Sequence, residues 1–231
     1  MSAEHTEVYK GHRIQIFQDT DIQNPRTEYD NLGKMICFHS RYTLGDKHDF
    51  GSPDDLFEEL CGRLPNREAH HPVTELLGDG SEFRIVWEPL YLYDHSGITM
   101  STKPFSCRWD SGQVGIIYVT YDDIAKSMNV QWKGEGKWVP SAEIIAQHEK
   151  ILQGEVSTYD DYIRGNCYGY RVFEMDEEYV KSEDEDADPD SDDYWCSDEV
   201  DSCWGFLGDY NSEGGALEAA KEYVDAATDK D

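Results

Sequence analysis

Positive charge is scarce in this chain: 20 Lys and Arg stand against 49 Asp and Glu in 231 residues, a formal net charge of −29. Proteins hold nucleic-acid phosphates through Lys and Arg that release counterions, so direct nucleic-acid binding is not expected. Long apolar runs are missing too. None approaches the roughly 20 residues that span a bilayer, so no membrane association is expected. The opening stretch MSAEHTEVYKGHRIQIF has no charged-then-apolar leader, which points to a cytoplasmic protein. The six cysteines (Cys37, Cys61, Cys107, Cys167, Cys196 and Cys203) form no C-x-x-C pair, and their spacing fits no zinc finger or ribbon. Buried free thiols in a reducing compartment are the expectation. The run SEDEDADPDSDD at 182–193 lacks the turn glycine and the closing Glu of an EF-hand loop. His70 and His71 are adjacent, and neighbours point apart on helix and strand alike. No metal and no cofactor is therefore expected.

Aromatic residues are plentiful, at 13% with 15 Tyr and 6 Trp, against a modest 38% of apolar residues in all. That supply, in a chain of this length, supports a real core and argues against global disorder. The negative charge is unevenly spread. Residues 174–201 hold 15 acids and one base, Lys181, so half of the excess sits in one short segment.

Alternation predicts a strand over 12–19, and KMICFH a second over 34–39. Ser52-Pro53-Asp54-Asp55 is a helix start: a cap, a proline suited to the first turn, and acids that complement the dipole. Leu56, Phe57, Leu60 and Leu64 give that helix its buried stripe. The runs 87–93 and 114–120 are rich in Ile, Val, Tyr and Leu and read as neighbouring strands. A short helix is expected over 121–129, then a loop in which Trp132 and Trp138 pack on the sheet. A long helix follows from about Ser141 to Arg164, its core stripe formed by Ile145, His148, Leu152, Val156, Tyr159 and Ile163. His148 reads as a semi-buried, satisfied histidine. The pattern Asn166-Cys167-Tyr168-Gly169-Tyr170 recurs as Ser202-Cys203-Trp204-Gly205-Phe206. Strands over 168–175 and 201–207 would pair as an antiparallel hairpin. A last, Ala-rich helix is expected over 216–227. The fold class is α+β: one mixed or mainly antiparallel sheet of five to seven strands packed against one long helix and two shorter helices. A single domain is expected over 1–231, with 176–198 an acidic flexible loop within the C-terminal hairpin.

The loop between the strands at 87–93 and 114–120 is crowded with polar residues. Asp94, His95 and Ser96 lie at one end of it, and Cys107, Asp110 and Ser111 at the other. Two readings stand. In one, Cys107 is a nucleophile, His95 its base, and Asp94 or Asp110 orients the imidazole of a hydrolase-like enzyme. In the other, Asp94, Ser96, Asp110 and Ser111 make local turn bonds, and Gly97 and Gly112 supply unusual backbone angles. G-x-S-x-G is absent, no substrate-binding cluster accompanies the dyad, and the second reading is preferred.

The segments YLYDHSG and PFSCRWDSGQVGIIYV resemble a family of small acidic proteins encoded by phages and other mobile elements. The resemblance continues through the long helix and VDSCWGFLGD, about two-thirds of the chain. It implies a gene useful to a phage or plasmid inside a host cell, and carries over no catalytic residue. Together with the charge, it suggests an inhibitor acting in the host cytoplasm. The expected partner is a basic host protein, a nucleic-acid-binding defence complex, met by anti-restriction or anti-CRISPR-like binding or by nucleic-acid mimicry. The acidic run would supply Glu183, Asp184, Glu185, Asp186, Asp188, Asp190, Asp192 and Asp193, with Trp109, Tyr194 and Trp195 as aromatic anchors.

Overall fold

A computed structural model describes residues 2–62, 77–134, 136–174 and 198–229. The fold is α+β, with eight strands, all antiparallel, and five helices among the described residues. The strands do not share one sheet. They divide into two four-stranded sheets, and the contacts group into two compact units where the sequence suggested a single domain.

The first unit comprises Met1–Gln23 and Asp161–Asp231. Its strands are β1 (His5–Tyr9), β2 (His12–Gln18), β7 (Cys167–Glu174) and β8 (Glu199–Leu207), in the order β1-β2-β7-β8. β1 has no clear alternation in the sequence; a tight turn with positive φ at Lys10 and Gly11 folds it back on β2. One face carries Ile14, Ile16, Tyr170 and Val172. Helix α5 (Ala216–Thr228) covers it with Ala216, Leu217, Ala220 and Val224, which lie at helical spacing on one side. The internal echo has a structural meaning. Tyr168 lies opposite Phe206, and Tyr170 opposite Cys203, as the expected antiparallel pair. Gly169 is required there, because a β-carbon would sit 2.2 Å from the Trp204 ring.

The second unit spans Asn24–Asp160. Its sheet has the order β3-β6-β4-β5, from β3 (Lys34–Cys37), β4 (Ile85–Asp94), β5 (Ile98–Ser101) and β6 (Ser111–Thr120). Its helices are α1 (Pro25–Glu28), α2 (Pro53–Cys61), α3 (Tyr121–Ser127) and α4 (Ala142–Arg164), the last belonging to this unit as far as Asp160. Ser52 caps α2 as its sequence indicates, its hydroxyl accepting from the Asp55 amide at 3.3 Å. Leu56 and Phe57 then meet Ile36, Ile85, Ile116 and Tyr118 on one face of the sheet. On the other face lie Met35 and Ile117, paired with each other, and α4 with its buried Leu152, Val156 and Tyr159. Gly33 sits so close to both that a β-carbon would lie 2.5 Å from Leu152 and 2.9 Å from Ile117. Burial on two faces explains why β6 reads as a continuous apolar run. Trp132 departs from expectation. It is half-exposed and folds onto its own loop, its Nε1–H donating to the Gly136 carbonyl at 3.1 Å.

Candidate functional site

The strand pair at the centre of the sequence is the centre of the second sheet: β4 and β6 pair along their length. Near the loop end the register slips, because β6 carries one extra residue, Val114, between the partners of Leu90 and Tyr91. The Val114 carbonyl instead accepts from the Phe38 amide at 2.6 Å. What the sequence offered as one loop contains a strand. Ser96 (φ +57°) and Gly97 (φ +153°) turn the chain so that β5 returns along β4. The loop proper runs from residue 102 to 110.

Asp94, His95, Cys107, Asp110 and Ser111 do come together at one end of the sheet. The Asp94 amide donates to the Asp110 carbonyl at 2.8 Å. The Ser111 hydroxyl donates to the Cys107 carbonyl. The Asp110 carboxylate lies 3.3 Å from His95 Nδ1 and accepts from Cys107 Sγ at 3.6 Å. Asp94 takes the Arg41 guanidinium and, at 3.4 Å, the Tyr42 hydroxyl. The Tyr93 ring stacks against His95 and leans on Phe105, with centroids 6.0 and 5.6 Å apart.

This order differs from that of a thiol hydrolase. A base must take the proton from sulfur, so the imidazole belongs between thiol and carboxylate. Here the Asp110 carboxylate stands between thiol and imidazole. Asp94, the other candidate orienter, is occupied by Arg41 and Tyr42. The arrangement ties a loop. On that loop Trp109 is 96% exposed. Among the described residues, no group of three or more His, Cys, Asp and Glu could hold a metal ion. None of the described helices is long and apolar enough to cross a membrane.

Glu183, Asp184, Glu185, Asp186, Asp188, Asp190, Asp192, Asp193, Tyr194 and Trp195 lie outside the described residues, as do His70 and His71. Of the thiols that are described, Cys37 and Cys167 are buried, Cys107 is half-buried and Cys203 is exposed. Burial pushes Cys37 up to about 12, helped by the Asp46 carboxylate, and Cys167 up to about 11.

A second feature has no signal in the sequence: a polar node under an open groove in the same unit. The stretch 19–32 reads as a polar loop with a turn at Asn24-Pro25, but Asn24 caps and Pro25 opens the short helix α1; Arg26 follows, and its side chain is only 2% exposed. It donates five hydrogen bonds: two to Asp46 at 2.9 and 2.8 Å, one to Glu155 at 2.7 Å, one to Asn31 at 2.9 Å and one to the Gly33 carbonyl at 2.6 Å. Burial opposes its charge, but the bonds to Asp46 and Glu155 outweigh that and hold its pKa above the usual value. Glu155 also accepts from the Leu32 and Gly33 amides, at 2.8 and 3.1 Å, and Asp46 from the Met35 amide at 2.8 Å. Above this node lies a groove of about 970 Å³. His148, 3% exposed, forms part of its wall and is satisfied as its place on the stripe suggested, with Nδ1 2.6 Å from the Ile144 carbonyl.

No family model, no curated protein and no solved structure matches this chain.

Proposed function

We propose that this protein is a non-enzymatic acidic inhibitor, carried by a phage or mobile element, that binds a basic nucleic-acid-handling or defence protein in the host cytoplasm. One observation carries the reading: many of the bases that could offset the acid are already paired with carboxylates of this chain. Lys10 pairs with Asp225 at 2.8 Å, Lys126 with Asp123 at 2.9 Å, Lys221 with Glu7 at 2.8 Å and Arg84 with Asp122 at 3.0 Å. Arg171 is held by Glu199, and Arg26 by Asp46 and Glu155. With a net charge of −29, the carboxylates left over outnumber all remaining cations. Such a surface repels phosphate and attracts a cleft built to hold it. Steering by the acids speeds encounter. Trp109, held out on its tied loop, is the kind of rigid aromatic anchor that dominates interface energetics. The acidic run 183–193 adds further negative charge to the chain.

The test is capture from bacterial lysate on the immobilised protein. A basic nucleic-acid-binding protein should be retained, displaced by double-stranded DNA, and associate more slowly as salt rises from about 50 to 200 mM. Changing the acids of 183–193 to Asn and Gln should slow association. Trp109→Ala should speed dissociation. Retained proteins that ignore competing DNA, or an empty column at low salt, would refute the inhibitor reading.

A further inference from the structure

Three of the nine exposed large hydrophobics among the described residues line the groove above Arg26: Tyr29 at 50%, Met128 at 44% and Ile151 at 37%. They come from different elements. Tyr29 caps the end of α1, Met128 caps the end of α3, and Ile151 stands beside the buried stripe of α4. A single exposed hydrophobic is ordinary, but three converging on one concavity need a reason. Residues 29, 128 and 151 are far apart in the chain, so local structure alone does not require the convergence.

The floor of the groove is rigid. Arg26 is fixed by its five hydrogen bonds, and Gly33 is wedged against Leu152 and Ile117. The charge leans negative: Asp46 and Glu155 bring two carboxylates to the single Arg26 guanidinium. Of the remaining lining charges, Asp30 is exposed, Asp123 is shared with Lys126, and Lys34 is the opposing cation. Across residues 24–160, 22 acids stand against 13 bases, so the unit that holds the groove adds a negative field. An apolar seat in a negative field favours a ligand that is both greasy and cationic.

We infer that this groove docks an extended Lys- or Arg-bearing segment of a basic partner protein, one apolar side chain seated among Tyr29, Met128 and Ile151 and a neighbouring cation facing Asp30. The inference rests on the inhibitor reading for the identity of the partner, and names where on this chain that partner is gripped. The groove is a second point of contact, separate from the Trp109 loop.

The probe is a fluorescein-labelled peptide, Gly-Lys-Leu-Lys-Gly, added to the full chain. Two control peptides replace both Lys by Glu, or Leu by Ser. With methyl-labelled protein, the Met128 and Ile151 methyl signals should shift saturably with the first peptide and stay still with the Glu peptide. Fluorescence anisotropy should show the Ser peptide binding about tenfold more weakly, as expected for losing one buried apolar side chain. Met128→Ser/Ile151→Ser, changes at exposed positions, should lower affinity for the first peptide about fivefold or more at an unchanged unfolding midpoint. Equal binding by that double variant, preference for the Glu peptide, or shifts confined to other methyls would overturn the proposal. So would groove shifts that follow protein concentration alone, which would assign the groove to a second copy of the chain. Peptide binding here with nothing retained from lysate would support the groove and sink the inhibitor reading. A DNA-displaceable protein still held normally by the double variant would do the reverse.

Discussion

Replacing Arg26 by Met keeps most of the side chain's volume and removes its charge and its donors. Asp46 and Glu155 would then face each other's field without a cation, with only 25% and 13% of their side chains exposed. Breaking a buried pair from one side costs about 3–5 kcal/mol, because the surviving charge is stranded. The backbone amides of Leu32, Gly33 and Met35 continue to donate to the two carboxylates, and Asp46 is a quarter exposed, so the lower part of that range applies. Against a typical total of about 5–15 kcal/mol, that is a large loss. Arg26→Lys keeps the charge but not the planar fork that reaches five acceptors; it should cost about 1–3 kcal/mol. Adding Asp46→Asn and Glu155→Gln to Arg26→Met should restore about half of the loss or more, since the stranded charges disappear. Urea unfolding followed by circular dichroism measures the losses, and hydrogen exchange at the Leu32, Gly33 and Met35 amides localises them. A loss below about 1 kcal/mol in Arg26→Met, or no recovery in the triple variant, would refute the view that this node holds the unit together.

Gly115→Ala would place a β-carbon 1.9 Å from the Ile36 carbonyl oxygen and should cost about 1–3 kcal/mol or more, read from the urea midpoint. Iodoacetamide at pH 8 should label Cys203 in the folded protein and leave Cys37 and Cys167 unmodified until urea is added, as mapped by mass spectrometry. Those two thiols are buried and titrate at about 12 and 11, so neither supplies thiolate at that pH. The bonds from Lys126 and Thr120 hold the Asp123 carboxyl below its ordinary 3.8. Its contribution to stability is therefore present above that ordinary value and is lost as pH falls through the lower folded value. Urea midpoints from pH 7 downward should show Asp123→Asn less stable than the unaltered protein at neutral pH, the gap closing below about pH 4.

Much of this protein is decided by local pattern. Ser52-Pro53-Asp54-Asp55 starts a helix through its own side chains and backbone, and the structure begins α2 there. The 3.6-residue spacing of His148, Leu152, Val156 and Tyr159 marks the buried side of α4, and the echo around Cys167 and Cys203 marks two strands that pair. The acid surplus is a property of composition and needs no fold at all. These features are legible because the side-chain periods of helix and strand are set by the backbone within a few residues.

Only the tertiary structure decided which strands share a sheet, since alternation states that a face is buried and not what buries it. A strand as short as β5, four residues after a turn, is too brief to carry a period of its own. The order of Cys107, Asp110 and His95 rests on where two chain segments cross, and a one-atom choice of partner separates a tied loop from a nucleophile with its base. Arg26 is the extreme case. Its partners lie 20 and 129 residues away, and no local rule connects an arginine after a turn with a glutamate on a distant helix. Burial of that charge is tolerable only when the partners arrive together, so the node and the groove above it exist only in the folded chain.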